Sequence, residues 1–206
     1  MKRRLPMIFV AVVTVICLVA ASVAAVASGV NASAVAYQVN GTKVSQASVD
    51  QDLKALADAR YQSKVKQVFS GATATTDGAV SSSFTATWLD LQIRNELFRQ
   101  GLKKANVAVG TAEKEKQRAV IDALLAQNGL SFKVADLPAP LEDALLRNYA
   151  YPAALGLTSD AKIAAYFQAA LRTADIQIDP RYGRWSPTHG VCAPTGCPSS
   201  ASSAGG

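Results

Sequence analysis

Histidine and cysteine are scarce in this chain of 206 residues, with one His, His189, and three Cys, Cys17, Cys192 and Cys197. His189, Cys192 and Cys197 share one short stretch near the C-terminus, HGVCAPTGC. Together they offer three zinc ligands, where a structural zinc site normally has four. Cys192 and Cys197 also flank Pro194-Thr195-Gly196 with a spacing that suits a small disulfide loop. In an oxidising compartment a disulfide is the default for such a pair. The disulfide is the expected state and a metal site the weaker alternative. So short a loop ties down little chain, so the bridge is expected to stiffen the tail rather than stabilise the fold.

Acid–base chemistry has few parts. Glu113 with Glu115, and Glu142 with Asp143, are carboxylate pairs, yet neither spacing aligns two acids on one helix face. Both pairs lie near predicted helix N-termini, where the helix dipole favours acids. The single histidine rules out a His-based triad away from the tail. There is no Gly-rich phosphate loop, no Gly-x-Ser-x-Gly elbow and no Cys–His constellation in the body of the chain. The expectation is a protein that is not an enzyme and uses no metal or other cofactor.

The N-terminus points to export. Lys2, Arg3 and Arg4 form a basic cluster, and residues 5–27 are uncharged and almost wholly apolar. Ala-x-Ala patterns follow at Ala25-Val26-Ala27 and Ala32-Ser33-Ala34. This is the layout of a secretory signal, although the apolar run is long enough to remain as a membrane anchor. Cleavage and anchoring both stay open; either places the rest of the chain outside the cytoplasm, in the cell envelope or secreted. Cys17 follows Ile16 rather than a small residue, which disfavours a lipoprotein site and leaves it a small hydrophobe in the signal. Without the three cations of the leader the formal net charge falls from +6 to +3. No basic-aromatic stripe suggests nucleic acid as a partner.

The remaining segments must supply the architecture. Residues 35–45, VAYQVNGTKVS, read as a β-hairpin about Asn40-Gly41, a pair suited to the positive φ angles of a two-residue turn. Val49, Leu53, Leu56, Tyr61, Val65 and Val68 predict one amphipathic helix of roughly five turns, capped by Ser45 or Ser48. A small, polar loop spans 70–83. The next helix, 84–104, carries one stripe of Phe84, Trp88, Leu91, Phe98 and Leu102 and a second of Leu89, Ile93 and Leu97. Two stripes imply several neighbours, hence a central helix. A third helix begins at Thr111 and ends at Asn128-Gly129, with Ala119, Val120, Leu124 and Leu125 expected inward. A fourth starts at Pro140 and is interrupted at Pro152; a fifth starts after Thr158 or Ser159. Residues 176–178 form a strand, and since three residues cannot stand alone, it is expected to pair with the N-terminal hairpin. Pro180 ends that strand, and Arg181, Tyr182 and Trp185 are expected to anchor it to the helical body. The fold class is mainly α: about five helices with a small antiparallel sheet made by the N-terminal hairpin and the C-terminal strand. The expected organisation is a leader over 1–34, a folded domain over 35–185 and a Cys-containing, largely disordered tail over 186–206.

Three ordered stretches carry a resemblance: AYQVNGTKVSQASVDQD at 36–52, LQIRNELFRQGLKKANVAVGTAEKEKQ, and ADIQIDPRYGRW at 174–185. In this order, after an export signal, the chain resembles the N-terminal domain of SurA-type periplasmic chaperones, and in particular the SurA-N-like envelope proteins of actinobacteria. The resemblance implies a helical domain whose two ends share one sheet and which holds unfolded polypeptide. Some members insert parvulin-type prolyl isomerase domains; this chain has no room for one, so isomerase activity is not implied.

An ATP-independent holdase of this kind would bind non-native or secreted polypeptides in an apolar groove. The candidate groove residues are Trp88 and Phe98 on the central helix, with Tyr149, Tyr151 and Tyr166 as aromatic surface with polar tips. The competing reading is that the central helix is simply core. An envelope adaptor or structural protein that binds one dedicated partner is the alternative function. A prolyl isomerase and a secreted hydrolase are more distant.

Overall fold

The computed structural model describes residues 34–69 and 80–197. The leader, its apolar run 5–27, Cys17, most of the 70–83 loop and residues 198–206 lie outside the described residues. Among the described residues no helix is long and apolar enough to cross a membrane.

Strands β1 (Val35–Val39) and β2 (Thr42–Ser45) form the predicted hairpin. Asn40 (φ 48°) and Gly41 (φ 81°) both take the left-handed backbone a two-residue turn demands. Ser45 then caps α1 (Gln46–Leu56), its side chain accepting the Ser48 N–H. The expected five-turn helix is in fact two: α1 and α2 (Gln62–Val68), separated by a turn over 57–61. Asp58 is the cause. Its carboxylate takes the Arg60 backbone N–H at 2.9 Å, a local bond that competes with the helix ladder. The five-residue step from Leu56 to Tyr61 in the apolar pattern marks the same break.

Helix α3 (Ser82–Lys104) is the central element, capped by Ser81. Apart from Leu91, every residue of its two predicted stripes is buried. It meets β1, α5 (Ala139–Ala154), α6 (Asp160–Leu171) and a C-terminal strand, which explains why one apolar stripe would not suffice. Asn95 fastens it to α5 by donating to the Ala144 carbonyl at 2.9 Å.

Helix α4 (Thr111–Gln127) is rotated from expectation: Gln117, Ile121 and Leu125 are buried, while Ala119 and Val120 are exposed. Its N-cap is Gly110 rather than Thr111. A one-turn 3-10 helix (Val134–Asp136) leads into α5. Pro152 does not interrupt α5, which continues to Ala154 with Pro152 buried in its last turn. Helix α6, capped by Ser159, buries none of its residues fully.

β3 (Ile176–Ile178) pairs antiparallel with β1, giving one sheet in the order β2-β1-β3. The molecule is therefore mainly helical, with six α-helices among the described residues and a small antiparallel sheet shared by the two ends of the folded part. Beyond it the chain departs from expectation. Arg184–Ser186 (β4) and Gly190–Cys192 (β5) form a second hairpin that packs on α3. The stretch 186–197, read from composition as tail, contributes buried Val191, Cys192 and Ala193 to the core. Cys192 and Cys197 are bridged, and the bridge closes the loop behind β5.

Candidate functional site

Helices α2, α3, α4 and α5 converge on an open cleft of about 580 Å³. Phe69 and Val68 enter from the end of α2, half-buried Leu91 from α3, Leu124 from α4, and Leu145 and Tyr149 from α5. Ile121 and Leu125 form the floor and are buried. Three neutral amides, Gln67, Asn128 and Asn148, are the polar lining, and no charged side chain lines the cleft. The i, i+4 pair Leu145–Tyr149 places two side chains on one face of α5. Burial pushes the Tyr149 hydroxyl above its ordinary pKa, and the nearby Asp160 carboxylate adds to this, so Tyr149 stays a neutral donor and acceptor. Such a site can bury an uncharged apolar segment and offer hydrogen bonds at its rim.

The five aromatic residues proposed from sequence do not form one groove. Trp88 and Phe98 are each 0 % exposed and belong to the core, because both stripes of α3 are covered by neighbours. Phe98 stacks on Tyr166 with ring centroids 5.4 Å apart, so Tyr166 acts as a half-exposed cover for α3. Tyr149 lines the apolar cleft, whereas Tyr151 lines a separate cleft of about 290 Å³ with Arg99, Lys103, Val109 and Lys114. Sequence reasoning missed Phe69 and Leu130 as cleft residues and read Leu124 as core. The signal present was the run Ile121, Leu124, Leu125, which is wider than a buried stripe of α4 needs.

Two polar clusters flank the C-terminal hairpin. Asp90 lies with Thr87, His189 and Cys197 in a cleft of about 570 Å³ against β5. Burial pushes its carboxyl up; Arg94 and the Val191 N–H offset part of that. On the other side, Arg181 and Tyr182 close on Asp50 of α1. The Tyr182 hydroxyl donates to Asp50 at 2.7 Å, and the Arg181 guanidinium contacts both the carboxylate and the Tyr182 ring. Burial raises the Asp50 carboxyl, but the Arg181 and Tyr182 hydrogen bonds and the Arg181 charge outweigh it and hold the pKa below the ordinary value. Gln46 adds a bond to Asp179 at 3.0 Å. This is the anchor expected of the Pro-Arg-Tyr-Gly turn, and its polar side chains are occupied in holding that turn to α1.

Among the described residues no three of His, Cys, Asp or Glu converge as metal ligands. No family model matches the chain, and neither does any curated protein or solved structure.

Proposed function

We propose that the folded domain is an ATP-independent extracytoplasmic chaperone that holds apolar segments of non-native or secreted polypeptides in the cleft between α2, α3, α4 and α5. The observation that carries this reading is the uncharged, half-buried lining of Phe69, Leu91, Leu124, Leu130, Leu145 and Tyr149. The SurA-N-like stretches and the export leader support the same assignment. Burial of one or two client side chains would contribute about 2 kcal/mol each, much of it offset by ordering the client. Weak, reversible binding follows, as a holdase without nucleotide requires. The proposal includes no catalytic activity, prolyl isomerase included, and a proline-peptide assay checks that part.

An envelope adaptor with one dedicated partner is the second reading. It is favoured by the confinement of apolar surface: among the described residues only Val107 and Val120 are exposed large hydrophobics. Aggregation of several unrelated unfolded proteins, with and without near-stoichiometric protein and no ATP, separates the two. Broad suppression that is lost in Leu124→Glu supports the holdase. Leu124 is half-buried on the cleft wall, so the variant charges the site without burying a charge in the core. Absence of suppression with every client sinks the general-chaperone reading and leaves the adaptor.

A further inference from the structure

The α3–α4 connection stands out from the rest of the surface. Residues 103–108, Lys-Lys-Ala-Asn-Val-Ala, are all exposed, and Val107 at 37 % is one of the two exposed large hydrophobics noted above. Asn106 turns the chain with a φ of 55°. The segment thus leaves Val107 and Ala108 open to solvent between cations on both sides. Lys103 and Lys104 precede it, and Lys114 follows on the first turns of α4.

The cations have few direct ionic partners among the described residues. Glu115 pairs with Arg118 at 3.2 Å, and Glu113 accepts from the neutral Gln117 amide at 2.7 Å and makes no ion pair with these lysines among the described residues. Lys103 and Lys104 make no ion pair among the described residues, and Lys114 has only a 3.7 Å contact with the half-exposed Asp143. Beside them, Lys103, Lys114 and the Glu96-paired Arg99 surround the cleft of about 290 Å³ whose apolar side is Val107, Val109 and Leu102. The C-terminal end of the α3 dipole accounts for the two lysines in its last turn. Val107 closes the helix end, its N–H bonding the Leu102 carbonyl at 2.9 Å, and leaves 37 % of its surface open beside them.

We propose that this loop and its cationic cleft are a docking surface for an anionic phospholipid bilayer, with Val107 and Ala108 entering the interfacial layer and Lys103, Lys104 and Lys114 meeting lipid phosphates. Apolar residues flanked by cations match a surface whose phosphates lie just outside its acyl chains. The inference is independent of the holdase reading and would bring the domain to the membrane by a face distinct from the apolar cleft.

The test uses the full chain carrying Val107→Trp. Residues 5–27 can partition into any bilayer, so the readout must be local. The parent chain, measured in parallel, supplies the background of buried Trp88 and half-buried Trp185. With vesicles of phosphatidylglycerol and phosphatidylcholine, the emission of the new Trp should shift to the blue and be quenched by brominated acyl chains. Pure phosphatidylcholine should give neither, and high salt should abolish both. Lys103→Glu or Lys104→Glu should each raise the lipid needed for half the shift about five-fold or more, since one surface lysine contributes roughly that factor. Lys103→Gln and Lys104→Gln should act in the same direction more weakly, which guards against a fold defect. Equal response to both vesicle types, or indifference to the lysine changes, overturns the proposal. So does a shift evoked by soluble polyglutamate or by millimolar inorganic phosphate without lipid, which would assign the surface to an acidic polypeptide or a free anion.

Discussion

Replacing Tyr182 by Phe removes one hydroxyl and nothing else from the anchor that joins the C-terminal turn to α1. The ring stays buried, at 3 % exposure, so no cavity opens. What is lost is a 2.7 Å hydrogen bond to the Asp50 carboxylate and a 2.6 Å bond accepted from Arg181. A hydrogen bond to a charged group contributes about 1.5–3 kcal/mol. The side chains of Arg181 and Asp50 are about half exposed, which places the expected cost at the lower end, about 1.5 kcal/mol. For a domain of this size that is a fall in Tm of about 3–6 °C. The pH dependence supplies a second check. Asp50 has a depressed pKa when folded, so its contribution is present above the unfolded value, about 3.9, and is lost as pH falls through the folded one. The gap between wild type and Tyr182→Phe should therefore narrow below about pH 4. Urea denaturation at pH 7 and pH 3, followed by far-UV circular dichroism, measures both quantities. An unchanged midpoint at pH 7, or a gap of equal size at pH 3, would refute the assignment of the anchor energy to this bond.

Other perturbations test other parts of the fold. Gly183→Ala should be severely destabilising, by about 3 kcal/mol, since its φ is 134° and a Cβ would fall 2.1 Å from the Cys192 carbonyl oxygen; thermal denaturation reads this directly. Leu141→Ala, at a fully buried α5 position, should cost about 3 kcal/mol in the same assay. Asp90 has a raised pKa when folded, so what it contributes is present at acid pH and lost as pH rises through that value. Asp90→Asn should therefore raise Tm at pH 7 and leave it nearly unchanged at pH 3. Gln92→Met removes a buried amide nitrogen that has no hydrogen-bond partner and should stabilise by about 1 kcal/mol, measured by urea midpoint.

The parts of this fold that were legible in the sequence are those that local chemistry determines. Asn40-Gly41 specifies its turn whatever surrounds it, and the doubled stripe of α3 can only belong to an element with several neighbours. Pairing of β3 with the hairpin followed because three residues cannot form a sheet alone. The features that were not legible depend on competition or on distant partners. Asp58 breaks the helix through a bond to the Arg60 backbone, and the single five-residue step from Leu56 to Tyr61 is the only trace of it in the apolar pattern. The β4–β5 hairpin consists of short, Gly- and Pro-punctuated segments with little strand propensity, and it is held by α3 and by the disulfide. The apolar cleft was hidden for a related reason: whether Leu91 or Trp88 lines open space depends on which side of α3 its neighbours cover.

The central strand of the main sheet has a consequence for the order of events in folding. β1 begins at residue 35, yet one of its two neighbours is β3, whose partners for Tyr37, Gln38 and Val39 are Ile178, Gln177 and Ile176. All six helices lie between them in the chain. A helical domain would ordinarily fold fast through local contacts, but this one cannot complete its sheet until Ile176–Ile178 arrives, and loop closure must precede that reward. Until then β1 presents a free edge of backbone donors and acceptors during synthesis. Such an edge accepts any extended segment, including β3 from a second copy, so exchange of β3 between molecules is the characteristic misassembly of this topology.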